Sequence, residues 1–184
     1  MQKISKFILS IFGWKITGSF SKDIKKFVLV IAPHTSNWDF VIGRLAFWVL
    51  GLKVKFLIKK EFFKFPIKRI IEGLGGIAVD RSKSTNVVSE AVQLFNSKES
   101  LIITITPEGT RSLVKVWKKG FYYVATQANV PLILGFLDYK KKEAGIGPII
   151  YPSGNYEEDF EKIQEFYKGK NARFPKQFNL SYEI

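Results

Sequence analysis

The chain has one histidine, His34, and Asp39 follows it five positions later. An imidazole titrates near neutral pH, so it can take a proton from a hydroxyl and hand it on within one turnover. A carboxylate on the other ring N–H fixes the tautomer and steadies the imidazolium as it forms. His34 comes just after the apolar run 27–32, and Asp39 opens a helix-like segment, so strand and helix together would mount such a pair. Taken alone, a histidine at a strand end also reads as a structural residue. Two further apolar runs end in charged groups, Asp80-Arg81 and Glu108-Gly109-Thr110-Arg111. Loops leaving the carboxyl ends of parallel strands converge on one sheet edge, where ligands bind. One imidazole, three carboxylates and two guanidiniums are therefore expected in a single cleft.

The elements that must hold these groups follow from the spacing of apolar residues. Residues 27–32 are apolar on both faces, which predicts a central strand with helices on either side. A helix is predicted over 37–52, ended by Gly51, and another over 82–97. Further strands are predicted at 53–58, 77–81, 101–105 and 130–137, the last with an antiparallel neighbour at 146–151. A short helix is expected over 121–127, and Asn155 caps a final one whose first turn carries Glu157, Glu158 and Asp159, as the helix dipole favours. Alternating strands and helices predict a three-layer α/β domain over residues 1–184, with a central mixed, largely parallel sheet flanked by helices. Within residues 1–16, Ile4, Phe7, Ile8, Ile11 and Phe12 fall on one face of an amphipathic helix, with Lys3 and Lys6 off it. That pattern suits a helix lying in a membrane interface, and equally one packed on the domain.

Composition narrows the partners. Lys and Arg number 29 against 16 Asp and Glu, a formal charge of +13, so polyanions are favoured: nucleic acid, an anionic membrane face or a phosphorylated substrate. Between residues 53 and 69 seven basic residues and one acid interleave with Phe56, Phe62, Phe63 and Phe65, which also suits an anionic lipid surface. With no cysteine there is no disulfide scaffold, no thiolate metal ligand and no cysteine nucleophile. The longest apolar candidate, 40–58, is broken by Arg44, Lys53 and Lys55, so no spanning helix is expected. The N-terminus lacks a small-residue cleavage site, so no signal peptide is expected either.

The motifs, in order, resemble those of the glycerolipid acyltransferase family, which acylates 1-acyl-sn-glycerol-3-phosphate and related lysophospholipids. His34 to Asp39 is similar to its first block, a histidine and an aspartate separated by four residues. Lys60-Glu61-Phe62-Phe63-Lys64-Phe65-Pro66 is similar to the lysine-glutamate-proline stretch that follows. Gly76-Ile77-Ala78-Val79-Asp80-Arg81 resembles the second block, Pro107-Glu108-Gly109-Thr110-Arg111-Ser112 the third, and Val130-Pro131-Leu132 the fourth. Pro33, Thr106 and Asn37-Trp38 depart from the commoner fillings, which leaves the acceptor open.

The resemblance implies an O-acyltransferase in which His34 is the general base and Asp39 orients it. The acceptor oxygen would attack the carbonyl of an acyl-CoA or acyl-carrier-protein thioester, a co-substrate rather than a bound cofactor. Arg81 and Arg111 are implied to hold the acceptor phosphate, with Glu108, Gly109 and Thr110 beside them and Lys60 and Pro131 in support. Glu108 is expected to orient Arg111 or the acceptor glycerol rather than bind a metal, and no metal is expected. A backbone N–H near Gly109 would help form an oxyanion hole. The implied partners are an anionic membrane surface, a lysophospholipid and the acyl thioester, with no nucleic acid. The implied location is peripheral, on the cytoplasmic face of a membrane. Two rivals stay open: a thioesterase or esterase using water, and a non-enzymatic polyanion-binding module.

Overall fold

The computed structural model describes residues 1–19, 21, 23–80 and 84–181. In chain order the elements are α1 (Gln2–Ile11), β1 (Lys15–Thr17), β2 (Lys26–Ile31), α2 (Trp38–Leu50), β3 (Val54–Lys59), α3 (Ile67–Gly73) and β4 (Gly76–Val79). They continue with α4 (Ser84–Ser97), β5 (Leu101–Ile105), α5 (Gly120–Gln127), β6 (Leu132–Asp138), β7 (Glu143–Ile150) and α6 (Tyr156–Lys168). Single 3-10 turns follow β3 at Lys60–Phe62 and α6 at Pro175–Gln177.

One sheet runs in the order β1-β7-β6-β2-β5-β3-β4. β2 lies between β5 and β6 and is parallel to both, and β3 is parallel to β5 and β4. β7 is antiparallel to β6, and β1 is parallel to β7. The continuous apolar run of β2 has the expected consequence, since Phe27, Val28, Leu29 and Val30 are fully buried. Their alternation separates two cores. Phe27 and Leu29 meet Phe47, Leu52 and Val54 beneath α2. Val28 and Val30 meet Phe95, Trp117, Phe121 and Tyr167 beneath α4, α5 and α6. The architecture is thus the predicted three-layer α/β fold with a mixed, mostly parallel sheet. Asn155 caps α6 through its side-chain oxygen, which accepts the Glu158 N–H.

Three features depart from the apolar pattern. The helix expected over 1–16 stops at Ile11, where the Gly13 and Trp14 N–H groups fold back onto the Ser10 and Leu9 carbonyls. Gly13 has φ +75°, a conformation that glycine adopts without strain. Lys15 to Thr17 then form a strand on β7, too short for any two-residue period to reveal. Residues 170–181 run back across the carboxyl edge of the sheet with a single 3-10 turn and no periodicity to announce them.

Candidate active site

β2, β3, β4, β5 and β6 all point the same way, so the segments after them gather at one edge. β5 and β6 flank β2 on either side, which brings the segments after these three strands together around His34. Asp39 sits in the first turn of α2, where the helix dipole favours a carboxylate. Its Oδ2 lies 3.2 Å from His34 Nδ1 and accepts the Thr35 and Ser36 N–H groups, each at 2.8 Å. Its Oδ1 accepts the Tyr139 hydroxyl at 2.6 Å. The loop closes because this one buried side chain satisfies two N–H groups ahead of the helix. Burial alone would raise the Asp39 pKa, but the hydrogen bonds from His34, Tyr139, Ser36 and Thr35 outweigh it and hold the group below its ordinary value. Asp39 is therefore ionised at neutral pH, and His34 Nδ1 must be the donor. That leaves Nε2 as the basic ring nitrogen.

Glu108 closes the other side. It is buried, and its Oε1 accepts the His34 backbone N–H at 2.9 Å. Its Oε2 is buried without a hydrogen-bond partner among the described residues. Loss of water pushes its pKa up to about 8, against the lesser opposing pull of the His34 N–H. Glu108 is thus a neutral acid at pH 7 that pins the His34 backbone; it does not orient Arg111. Arg111 turns instead to Asn37, to whose Oδ1 its Nη1 donates. Gly109 has φ +68°, and a Cβ there would stand 3.0 Å from the Lys118 ammonium, so the turn favours glycine on two counts. The Gly109 N–H donates to the Thr106 carbonyl, and the Thr110 hydroxyl oxygen accepts the Ser112 N–H. The Gly109 N–H is therefore already committed and does not serve an oxyanion hole.

The remaining sequence candidates disperse. Lys60 pairs with Asp80 at 3.1 Å beyond the ends of β3 and β4. Arg81 lies outside the described residues. Pro131 precedes β6 and accepts the Val28 N–H, at the opposite edge of the sheet from His34, so it is not brought to the cleft.

His34 and Asp39 line a cavity of about 1260 Å³. That exceeds the roughly 300–1,000 Å³ usual for small-molecule pockets. On the α2 face it is walled by Phe40, Gly43, Phe47 and Phe56, and on the α5 face by Phe121 and Val124. Lys59, Lys118 and Lys119 also line it. A basic imidazole thus opens onto a large, mainly apolar space with cations in its wall. A family model described as Acyltransferase matches residues 15–134, about two thirds of the chain.

The chain belongs to the Acyltransferase family.

No curated protein sequence matches it. In three dimensions the acyltransferase is similar to the 1-acyl-sn-glycerophosphate (LPA) acyltransferase PlsC from Thermotoga maritima, with a TM-score of 0.57 at 21% identity. The match covers 90% of this chain and 73% of that one, and it supports the fold. Sequence reasoning missed Tyr139, which follows β6 as His34 follows β2. The order of the parallel strands is the signal that finds it. It also missed Lys118 and Lys119 in the cavity wall of the acyltransferase, because their charge looked like ordinary surface before the cavity was known.

Proposed function

We propose that this acyltransferase moves a fatty acyl group from an acyl thioester, carried by CoA or an acyl-carrier protein, to the free hydroxyl of a lysophospholipid, with 1-acylglycerol-3-phosphate the favoured acceptor. The observation that carries the proposal is the His34–Asp39 pair lining a large apolar cavity. His34 Nε2 takes the hydroxyl proton as the acceptor oxygen attacks the thioester carbonyl. The tetrahedral intermediate then expels the thiolate, which takes the proton back from the imidazolium. An ester and a free thiol result, and no acyl group rests on the enzyme. Asp39 stays ionised throughout and steadies the imidazolium. Arg111 is assigned to the acceptor phosphate, and so is Arg81 on its motif alone. Lys118 and Lys119 offer charge for the phosphates of the donor.

Membrane attachment is part of the same proposal. On α1, Ser5 and Leu9 pack inward, while Ile4, Phe7 and Ile11, with Phe12 just past its end, are each at least 60% exposed. Phe62, Phe65, Ile67 and Ile70 add a second exposed apolar group among the lysines between β3 and β4. Both suit shallow seating in an anionic leaflet. Among the described residues no helix is long and apolar enough to cross a membrane.

The experiment is a product-mass assay of purified protein with acyl-CoA or acyl-carrier protein and a panel of lysolipids. Acylated lysophosphatidate is the expected product, and His34→Ala should lower turnover on the order of 10²–10⁴-fold with the fold intact. Free fatty acid alone would move the assignment to a thioesterase. Undiminished turnover by His34→Ala would remove the base mechanism.

A further inference from the structure

Asp39 is served by donors from two quite different places. Its Oδ2 meets its own loop, Thr35 N–H and Ser36 N–H, together with His34 Nδ1. Oδ1 is reached by a hydroxyl 100 residues further along, Tyr139 at 2.6 Å. Donors on Oδ2 alone leave the carboxylate free to rock about that oxygen, through χ1 and χ2 together, and the ring hydrogen-bonded to it would swing too. A donor on each oxygen stops the swing. We infer that Tyr139 is the positioning residue that locks the Asp39 carboxylate, and through it sets the tautomer and aim of the His34 ring.

Tyr139 is itself braced from both chain ends. Its ring meets Trp14 edge-on at 5.1 Å between centroids, and its N–H donates to the Asn171 carbonyl at 2.9 Å. The Arg173 guanidinium stands 5.8 Å from the centre of the ring. One residue further on, the Phe174 N–H donates to the Thr35 hydroxyl at 3.2 Å, so the C-terminal segment also grips the loop that carries the dyad. Burial and the Asp39 carboxylate both push the Tyr139 hydroxyl pKa up, so it remains a donor at working pH. Tyr139, Asn171, Arg173 and Phe174 all lie beyond the 15–134 span of the family model. The brace is thus a feature of this chain outside the four motif blocks.

The inference rests on His34 being the base, and the experiment separates the two. Because His34 is the only histidine, protein labelled with ¹⁵N-histidine gives the nitrogen signals of a single imidazole. In the wild type the Nδ1–H tautomer is expected alone. Tyr139→Phe keeps the ring and its packing and deletes one hydroxyl. It should bring in the Nε2–H tautomer and lower kcat roughly ten- to hundredfold, the scale of one lost orienting contact, with both KM values unchanged. Tyr139→Phe with the wild-type tautomer and kcat overturns the inference, as does a loss confined to KM. Should that variant not fold, Arg173→Ala, a change at an exposed residue, takes its place. A mixed tautomer then supports the brace, and a single tautomer with wild-type kcat overturns it. If His34→Ala retains full turnover, the base mechanism fails, while the nitrogen signals still decide whether Tyr139 orients the ring.

Discussion

Replacing Glu108 by glutamine isolates the energetic cost of keeping a carboxyl group behind His34. Glu108 is 3% exposed, uses one oxygen on the His34 N–H and leaves the other without a partner among the described residues. Its pKa climbs from 4.5 to about 8 because burial removes the water that would solvate the charge. Between those two values the unfolded chain has released the proton and the folded protein still holds it. The folded state then binds one proton more, so stability falls by about 1.4 kcal/mol per pH unit. Across the whole window the loss is on the order of 5 kcal/mol, and about 3 kcal/mol of it is already present at pH 7. Below pH 4.5 both states are protonated and this contribution is fully retained. Above about 8 both are ionised and the penalty stays constant.

Glutamine presents the same carbonyl oxygen to the His34 N–H and cannot ionise, so Glu108→Gln lacks this slope. Urea unfolding of both proteins from about pH 5 to about pH 8 reads the difference, and every other titrating group cancels between them. The stability gap should move toward the variant as pH rises, by several kcal/mol at the upper end. Parallel curves, or a wild type that gains stability over the variant as pH rises, would falsify the neutral acid. The carboxylate would then be ionised in the fold and would need a cation beside it.

Four further outcomes are expected. Asp39→Asn keeps an oxygen for the Thr35 and Ser36 N–H groups and turns its NH₂ to the Tyr139 oxygen, but it removes the negative charge that these donors and His34 face; unfolding assays should show a loss of about 1–3 kcal/mol, and turnover should fall on the order of 10²–10⁴-fold. Gly43 lines the cavity and a Cβ there would meet nothing within 4 Å, so Gly43→Ala should raise stability by about 0.5–1 kcal/mol in thermal or urea unfolding. Gly43→Phe should place its ring in the cavity and cut turnover with long-chain acyl donors more than with short ones, as read from product masses. Phe7→Ser removes one exposed ring of the α1 stripe; co-sedimentation with anionic vesicles should weaken about tenfold while the unfolding midpoint stays put.

The sheet was legible wherever burial leaves a period in the sequence. Leu101–Ile105 reads directly as a strand because tertiary packing and local propensity agree there. β1 did not read as a strand, because three residues on an edge owe their conformation to β7 alone. The site divides along the same line. His34 and Asp39 are five positions apart, and Glu108 belongs to a dense local motif, so residue types and spacing single them out. What Glu108 does was not legible, because its bond runs to a backbone N–H 74 residues away. Tyr139 was harder still, since the charged run from Asp138 to Glu143 around it reads as an ordinary surface turn and its partner lies 100 residues back. Both contacts follow from a single topological fact: β5 and β6 are the two neighbours of β2. Whatever follows those strands must come beside whatever follows β2, so a reader who first fixes the strand order has only two segments to search for the groups that hold the histidine.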